Sequence, residues 1–569
     1  MVQTWDAKKR ICAITFDEIS LASHLTFVEK SDEIIGFVNY GSENKYQLCD
    51  HALVFMLRGV ISSWRQLIAF YFCEGSTPAA ELKSILRNVV EAVSQTGLLP
   101  KILLCDQGST FQSCIKSFRE DTKRAQLLND AASEPKENEI NINGHAMYII
   151  FDPPNLIKGI RNNFLNKDLI FNGKTAKWSD IMEVYKADCQ LGDIRMLHKL
   201  SDEHVIPEKI KKMSVKHCTQ TLSERTSAML NYTSRYETHA DGRPVSKSMR
   251  DTAEAVLFFD RLFDSVNGSR NSSSPGKLRG PVKLVKGESK HVAFWKDAIR
   301  VLENTHYKDS NSGNIKHVPS LKNWIITLKS FIDIWSYLQN FDVSFFYTRN
   351  LNQDPLENFF GCIRAINHRN NNPDAHTFIC SFKSLLITNF LGPHSPYSNC
   401  EDDMGRLLLT LNKSHDSAQI FSFSDTASQP STAAEESTCL QVAPRRVEHP
   451  HSPVTPGGTA SQLFRQARME KTNVHASAYT AGFVSRRLVA KFKCHQCKQT
   501  FLSQNPSDIH TWISERERPS LKGRNLSYPN SKFVSVFRDL IKTCNNYLDN
   551  YAHRPNVTKT IRSEFLKTT

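Results

Sequence analysis

Gln353-Asp354-Pro355-Leu356-Glu357-Asn358-Phe359-Phe360-Gly361 sets two carboxylates three residues apart, where a turn signal gives way to an apolar-periodic run. Pro355 suits the first turn of a helix, and Asp354 before it is the expected N-cap. Leu356, Phe359, Phe360 and Ile363 recur at helical spacing and predict the buried face. Glu357 then lies in the first turn, one residue after a core leucine. A glutamate held on so rigid an element makes a good metal ligand if other carboxylates converge on it.

Two partners are legible upstream. Arg10 to Phe16 reads as a short apolar strand ending in Asp17-Glu18, and Pro100 to Cys105 as a buried-type strand ending at Asp106. Acids at strand ends of an open α/β sheet sit at the carboxyl edge, where sites are commonly built. Asp17, Asp106 and Glu357 meeting there would hold two Mg²⁺ or Mn²⁺ ions, because hard cations take oxygen ligands. Two such ions about 4 Å apart activate a water or a 3′-hydroxyl and stabilise the leaving oxygen of a phosphodiester. Taken singly, each aspartate reads as readily as a turn or cap residue.

The 569 residues exceed one ordinary core, so two to four domains are expected. A formal charge of +14 favours a polyanionic partner, nucleic acid first. Fourteen cysteines without a regular framework read as reduced thiols inside a cell. Met1 to Arg10 is polar, and Ile11 to Phe16 is too short for a signal h-region. No stretch approaches the roughly 20 apolar residues of a membrane span. These features point to a nuclear or cytoplasmic protein with no membrane partner.

The first 165 residues read as an α/β unit. Strands are predicted around Leu25 to Val28, Ile34 to Tyr40, His51 to Val60, Trp64 to Phe72 and Ala146 to Phe151. Helices are predicted from Thr77-Pro78, from about Ser109 and from Pro153-Pro154, the last after a further strand-end acid, Asp152. Residues 166–345 are more polar and mostly helical, and 346–395 carry the opening motif. Residues 396–475, rich in Ser, Thr, Pro and Ala, read as a disordered linker, and 476–569 as a small C-terminal domain.

Ile14-Thr15-Phe16-Asp17-Glu18-Ile19-Ser20, Leu104-Cys105-Asp106-Gln107-Gly108, Phe151-Asp152-Pro153-Pro154-Asn155-Leu156-Ile157-Lys158 with Arg161-Asn162-Asn163, and the opening motif with Arg369-Asn370-Asn371-Asn372-Pro373 together resemble the P-element-type transposases, which include the THAP-domain transposase-like proteins. The resemblance covers roughly residues 10 to 390 in the family's order. It implies a ribonuclease-H-like, DDE-type α/β core interrupted by a mostly helical GTP-binding insertion, here between Asp152 and Asp354. By similarity, Asp17, Asp106 and Glu357 are the expected catalytic, metal-binding acids. Lys158 is expected to face the phosphates of GTP, with Asp264 and Asp354 as nucleotide contacts. The implied activity is metal-dependent DNA cleavage and strand transfer in the nucleus, with GTP as a non-hydrolysed cofactor. The implied partners are transposon-end DNA, target DNA and further copies of the chain.

Departures from the family pattern are equally legible. Asn155 stands where a histidine is usual, and only sixteen residues precede Asp17, without the cysteine and histidine spacing of a THAP zinc domain. The sequence-specific DNA reader is therefore expected to be absent, and a domesticated, catalytically silent DNA- or protein-binding factor is the alternative function. Gly173-Lys174-Thr175 has the tail of a phosphate-binding loop, but Asp168 replaces its first glycine. Cys494 and Cys497 have the spacing of half a zinc site, whose other half would need His510 and Cys544; two reduced cysteines fit as well.

Overall fold

A computed structural model describes residues 2–41, 44–128, 136–190, 195–238, 243–270, 277–285, 287–309, 312–366, 371–388, 406–407, 460–492, 494–517 and 526–568. The chain forms two compact units, divided near residue 413. Among the described residues, no helix is long and apolar enough to cross a membrane.

The larger unit is built on one mixed sheet. Its strands are β1 (Ile11–Ser20), β2 (Phe37–Asn39), β3 (Asn44–Leu48), β4 (His51–Gly59), β5 (Trp64–Cys73), β6 (Leu99–Cys105), β7 (Glu139–Ile142) and β8 (His145–Phe151). They lie in the order β3-β2-β5-β4-β1-β6-β8-β7. β1, β6 and β8 run parallel, and β4 and β5 join as an antiparallel extension. The alternation on β4 divides the core: Leu53, Phe55 and Leu57 belong to one apolar cluster, Val54 and Met56 to another. The first cluster is covered by α1 (Ala79–Gln95) and α2 (Ser109–Leu128). Leu82, Ile85, Leu86, Val89, Val90 and Val93 of α1 are all buried, at the helical spacing expected of them.

Strand β1 does not stop at Phe16. It continues to Ser20 because β4 runs alongside it, pairing Asp17 with Val54 and Ser20 with His51. Helix α3 (Pro153–Phe164) leaves the end of β8, capped by the Asp152 carboxylate, which accepts from the Asn155 amide.

The segment between α3 and the opening motif is not helical throughout. Strands β9 (Lys167–Phe171) and β10 (Lys174–Ala176) form a hairpin. Asn172 and Gly173 at its tip both have positive φ, 49° and 74°, as a two-residue Asn-Gly turn requires. This is the Gly-Lys-Thr word, and its glycine serves a hairpin. Helices α4 (Trp178–Cys189), α5 (Val215–Thr221), α6 (Glu224–Thr233), α7 (Met249–Val266) and α8 (Lys290–Glu303) follow. β11 (Val282–Lys283), β12 (His306–Asp309), β13 (Ile315–Lys316) and β14 (Phe345–Phe346) complete two small sheets.

Helix α9 (Pro319–Gln339) falls inside the segment expected as insertion, yet packs on the core sheet. Thr327 Oγ1 accepts from the Phe151 amide at 3.1 Å, and the Ser330 hydroxyl donates to the Ile149 carbonyl. Small hydroxyl side chains let α9 approach β8 closely enough to bond its backbone.

The opening motif forms α10 (Asp354–Ile366), followed by α11 (Ala375–Thr388). Leu356, Phe359, Phe360 and Ile363 are buried against Val54, Met56 and Phe378, on the sheet face opposite α1. Asp354 is not the cap. It is already helical, and the Gln353 carbonyl accepts from the Glu357 amide at 3.0 Å, so the residue before the helix is Gln353. The Asp354 carboxylate is held instead by Asn352 and Arg349.

The smaller unit consists of helices α12 (Ala460–Phe492), α13 (His495–Phe501), α14 (Thr511–Arg516), α15 (Ser531–Tyr551) and α16 (Val557–Thr568), around Ala478, Ala481 and Val534. The expected linker, 396–475, falls mostly outside the described residues. Its last part, from Ala460, is helical, since the polar run there contains good helix formers such as Ala, Gln, Leu and Arg. Both ring nitrogens of His510 are engaged, one with Ser507 and one with the Pro529 carbonyl. That leaves His510 no lone pair for the zinc half-site considered above.

The approach of α3 to α9 depends on Gly159. A Cβ there would lie 2.3 Å from Ser320 Oγ. Gly159→Ala is expected to destabilise the protein by roughly 1–3 kcal/mol through forced displacement of α9. Adding Ser320→Ala should recover part of that loss in denaturant melts; full stability of Gly159→Ala alone would show that the helices separate freely.

Candidate functional site

Three neighbouring parallel strands deliver an aspartate to one edge of the sheet. Thr15 of β1 pairs with Leu104 of β6, so two residues further along each strand stand Asp17 and Asp106. Phe151 of β8 pairs with Cys105, so the next residues are Asp152 and Asp106. The Asp152 amide donates to the Cys105 carbonyl at 2.9 Å, which fixes that register at the edge itself.

Glu357 reaches this edge because α10 is tied to it. The Gln353 amide donates to Asp152 Oδ1 at 2.9 Å, and Gln353 Nε2 donates to the Phe16 carbonyl at 2.9 Å. Arg58 of β4 adds a third tie, donating to Asn352 Oδ1 at 3.0 Å.

The charges of these acids act on one another. Burial, then the charge of Asp106, holds the Asp17 carboxyl well above the usual carboxylate range, and Glu357 adds to this. The Glu18 amide, donating to Asp17 Oδ1 at 2.8 Å, opposes the rise. Burial likewise raises Asp106, against a 2.7 Å bond from the Gly108 amide and the positive charge of Lys158. Asp152 is pushed up to about 8, by burial first and Glu357 second. Asp354 rises to about 6 by burial, with Arg349 opposing.

The four acids at the edge differ in access. Asp17, Asp106 and Glu357 are half-buried, whereas Asp152 is 1% exposed. Both Asp152 oxygens accept backbone N–H groups, one from Gln353 and one from Asn155. Asp152 therefore locks α10 and α3 to the edge. Sequence reading passed over this role, although the signal was present: Asp152 ends its strand as Asp106 does.

Among the described residues, no three His, Cys, Asp or Glu side chains are arranged to hold a metal ion. Asp17, Asp106 and Glu357 are neighbours at the edge without being closed around one point. Their chemistry nonetheless suits a hard divalent cation: all donors are carboxylate oxygens, and the charge of Glu357 raises the proton affinity of both Asp17 and Asp106.

A cavity of about 480 Å³ lies in the insertion, a size common for small-molecule sites. Its wall combines carboxylates and cations, among them Asp260 and Asp264 of α7, Lys277, Arg279, Arg225 and Arg349. Arg279 Nε donates to Asp264 Oδ1 at 2.6 Å, and Lys277 lies 2.9 Å from Glu224 and 3.3 Å from Asp260. The expected nucleotide contacts separate here. Asp264 lines the cavity. Asp354 does not, but accepts from Arg349 Nη2 at 3.2 Å, and Arg349 does line it. Lys158 is buried on α3 and is not part of the cavity wall; its charge acts on Asp106. Lys277, Arg279 and Arg349 had no sequence signal, because basic residues are scattered throughout the chain.

Residues 1–119 match the TNP-like, RNase H N-terminal domain family; 155–279 match the TNP-like, GTP-binding insertion domain; 350–383 match the TNP-like, RNase H C-terminal domain. A curated relative, the transposable element P transposase of Drosophila melanogaster, is 22% identical over 385 residues, 67% of this chain and 46% of that protein. The chain thus spans about half the length of that relative. A solved structure, a Drosophila P element transposase strand transfer complex, superposes with a TM-score of 0.54 at 22% identity, covering 68% of this chain and 79% of that one.

The buried tie makes a stability prediction. Asp152→Ala removes both acceptors and strands the Gln353 and Asn155 amides, and should cost roughly 2–4 kcal/mol in chemical denaturation. Asp152→Asn keeps one acceptor oxygen and should lose less. Equal losses would mean that the carboxylate's two bonds are not what anchors α10.

Proposed function

We propose, for a chain that carries the TNP-like RNase H domains around a TNP-like GTP-binding insertion, the function of a P-element-like DNA transposase core. The observation that carries this reading is the juxtaposition of Asp17, Asp106 and Glu357 at the carboxyl edge of β1 and β6. In it, these three carboxylates hold Mg²⁺ or Mn²⁺, which supplies activation of an attacking oxygen and charge stabilisation of the phosphodiester being cut. Gln353 and Asp152 keep Glu357 facing the edge. Lys158 limits the net negative charge beside Asp106, where a DNA phosphate must approach.

GTP is assigned to the cavity in the insertion, held and not consumed. Carboxylates there can accept the adjacent N–H donors of a guanine edge, with Asp264 the first candidate. Lys277, Arg279 and Arg349 can meet phosphate oxygens once released from their present acidic partners. Asp354, three residues before Glu357 and bonded to Arg349, gives nucleotide occupancy a short route to the acid edge. The reading also includes transposon-end and target DNA as partners, assembly of several copies on DNA, and action in the nucleus; the net charge of +14 supports the DNA partner.

Purified protein, terminal-repeat duplex, Mg²⁺ and GTP make the test. Glu357→Gln should retain the melting temperature and lose cleavage by more than the roughly 10–100-fold typical of an outer-shell metal partner. Undiminished cleavage by that variant would remove Glu357 from the chemistry. Duplex binding without cleavage by the native chain would instead favour the silent DNA-binding factor. Separately, Asp264→Asn should weaken GTP binding about tenfold or more in calorimetric titration, as loss of a charged hydrogen-bond partner does. Unchanged affinity would move the nucleotide out of this cavity.

A further inference from the structure

A second cavity, of about 410 Å³, lies in the core between α2 and the start of α9, beside the end of β8. It shares no lining residue with the cavity assigned to GTP. Along α2 its wall carries Lys116, Arg119 and Lys123, spaced three and four apart and so on one helix face. Lys136 and Lys322 add positive charge, while Glu120, Glu137 and Glu139 supply the negative. Two of these cations are already met by acids: Lys136 lies 3.1 Å from Asp333, and Lys322 lies 3.9 Å from Glu137.

Arg119 is in a different position. Its Nε and Nη2 are both buried, and neither has a hydrogen-bond partner. These two N–H groups occupy the same edge of the guanidinium, the edge that grips two oxygens of one oxyanion side by side. Leaving charged donors buried and unmet costs stability, so such a pair is retained against a penalty. Burial holds the guanidinium below its ordinary pKa, and Glu137 opposes this without occupying the free edge. With Lys116 and Lys123 exposed on either side, a doubly charged phosphate matches the site better than a single carboxylate.

We propose that this cavity binds a phosphate group, gripped by the Nε/Nη2 edge of Arg119 once the side chain turns that buried edge into the cavity, with Lys116 and Lys123 flanking it. The phosphate has two available sources, a small phosphate in solution or the backbone of a nucleic-acid strand.

Inorganic phosphate and a DNA duplex are the two probes, each applied to the whole chain at matched ionic strength. Thermal melting reads the first, and fluorescence anisotropy of a labelled duplex reads the second. The native protein should be stabilised by inorganic phosphate, bind the duplex, or both. Arg119→Met removes a buried unmet charge while keeping the apolar stem. It should melt higher than the native protein in phosphate-free buffer and lose the response. Arg119→Lys keeps the charge but not the paired donors, and its response should be about tenfold weaker. GTP affinity should be unchanged in both. A response of the native protein to phosphate alone, lost in Arg119→Met, assigns a small ligand; a response to duplex alone, lost likewise, assigns a strand. No response of the native protein to either probe, or equal responses of native protein and Arg119→Met, overturns the proposal. If Arg119→Met does not fold, Lys116→Gln with Lys123→Gln, both at exposed positions, makes the same comparison.

Discussion

The site in the larger unit depends on one residue placed before a helix. Gln353 is fully buried and bonds two strands at once: its amide reaches Asp152 and its side chain reaches the Phe16 carbonyl. These partners lie 201 and 337 residues away in sequence. Everything between β8 and α10 is thereby bypassed. The insertion can be long because its far end is pinned to the strand edge from which its near end departs, and loop-closure cost grows only slowly with length. Apolar packing of Leu356, Phe359 and Ile363 supplies the adhesion of α10. The Gln353 bonds supply its register, which apolar contact alone leaves free to slide.

That register decides which carboxylates meet. A shift of one residue along α10 would turn Glu357 away by about 100°. In the register found, Glu357 raises the proton affinity of Asp17, Asp106, Asp152 and Asp354 alike. The cluster therefore carries an electrostatic cost that the fold accepts and a divalent cation would relieve. Asp152 shows how part of that cost is met, since two backbone N–H donors satisfy its carboxylate.

The same helix connects the edge with the insertion. Arg349 lines the larger cavity and bonds Asp354, and Asp354 stands one turn before Glu357. On the cavity wall Lys277, Arg279 and Arg349 each hold an acid, which keeps that polar surface in order. The Arg349–Asp354 bond links the cavity wall to the start of α10. The stretches that build the cavity and the edge come close in the chain at Asp152–Ile157 and again at residues 349–357.

Much of the core was legible in the chain itself. The apolar face of α1, the strands from His51 and Trp64, the β6 strand before Asp106 and the buried face of α10 were all predicted from spacing, because burial on one face leaves a period in the sequence. The family words likewise marked the interrupted core. Other features left no local trace. Asp354 looked like a helix cap until Gln353 was found in that place, engaged by distant strands. Lys158, expected at the nucleotide phosphates, is buried on α3 with its charge acting on Asp106. Thr327 and Ser330 fall in the segment expected as insertion, yet they bond the backbone of β8. The sequence by itself determined which residues must be buried and which acids stand at element ends, since both follow from short-range periodicity. Only the tertiary structure decided which acids are neighbours, which oxygens are already occupied and which cations remain unmet, because those depend on strand register and on bonds between residues hundreds of positions apart.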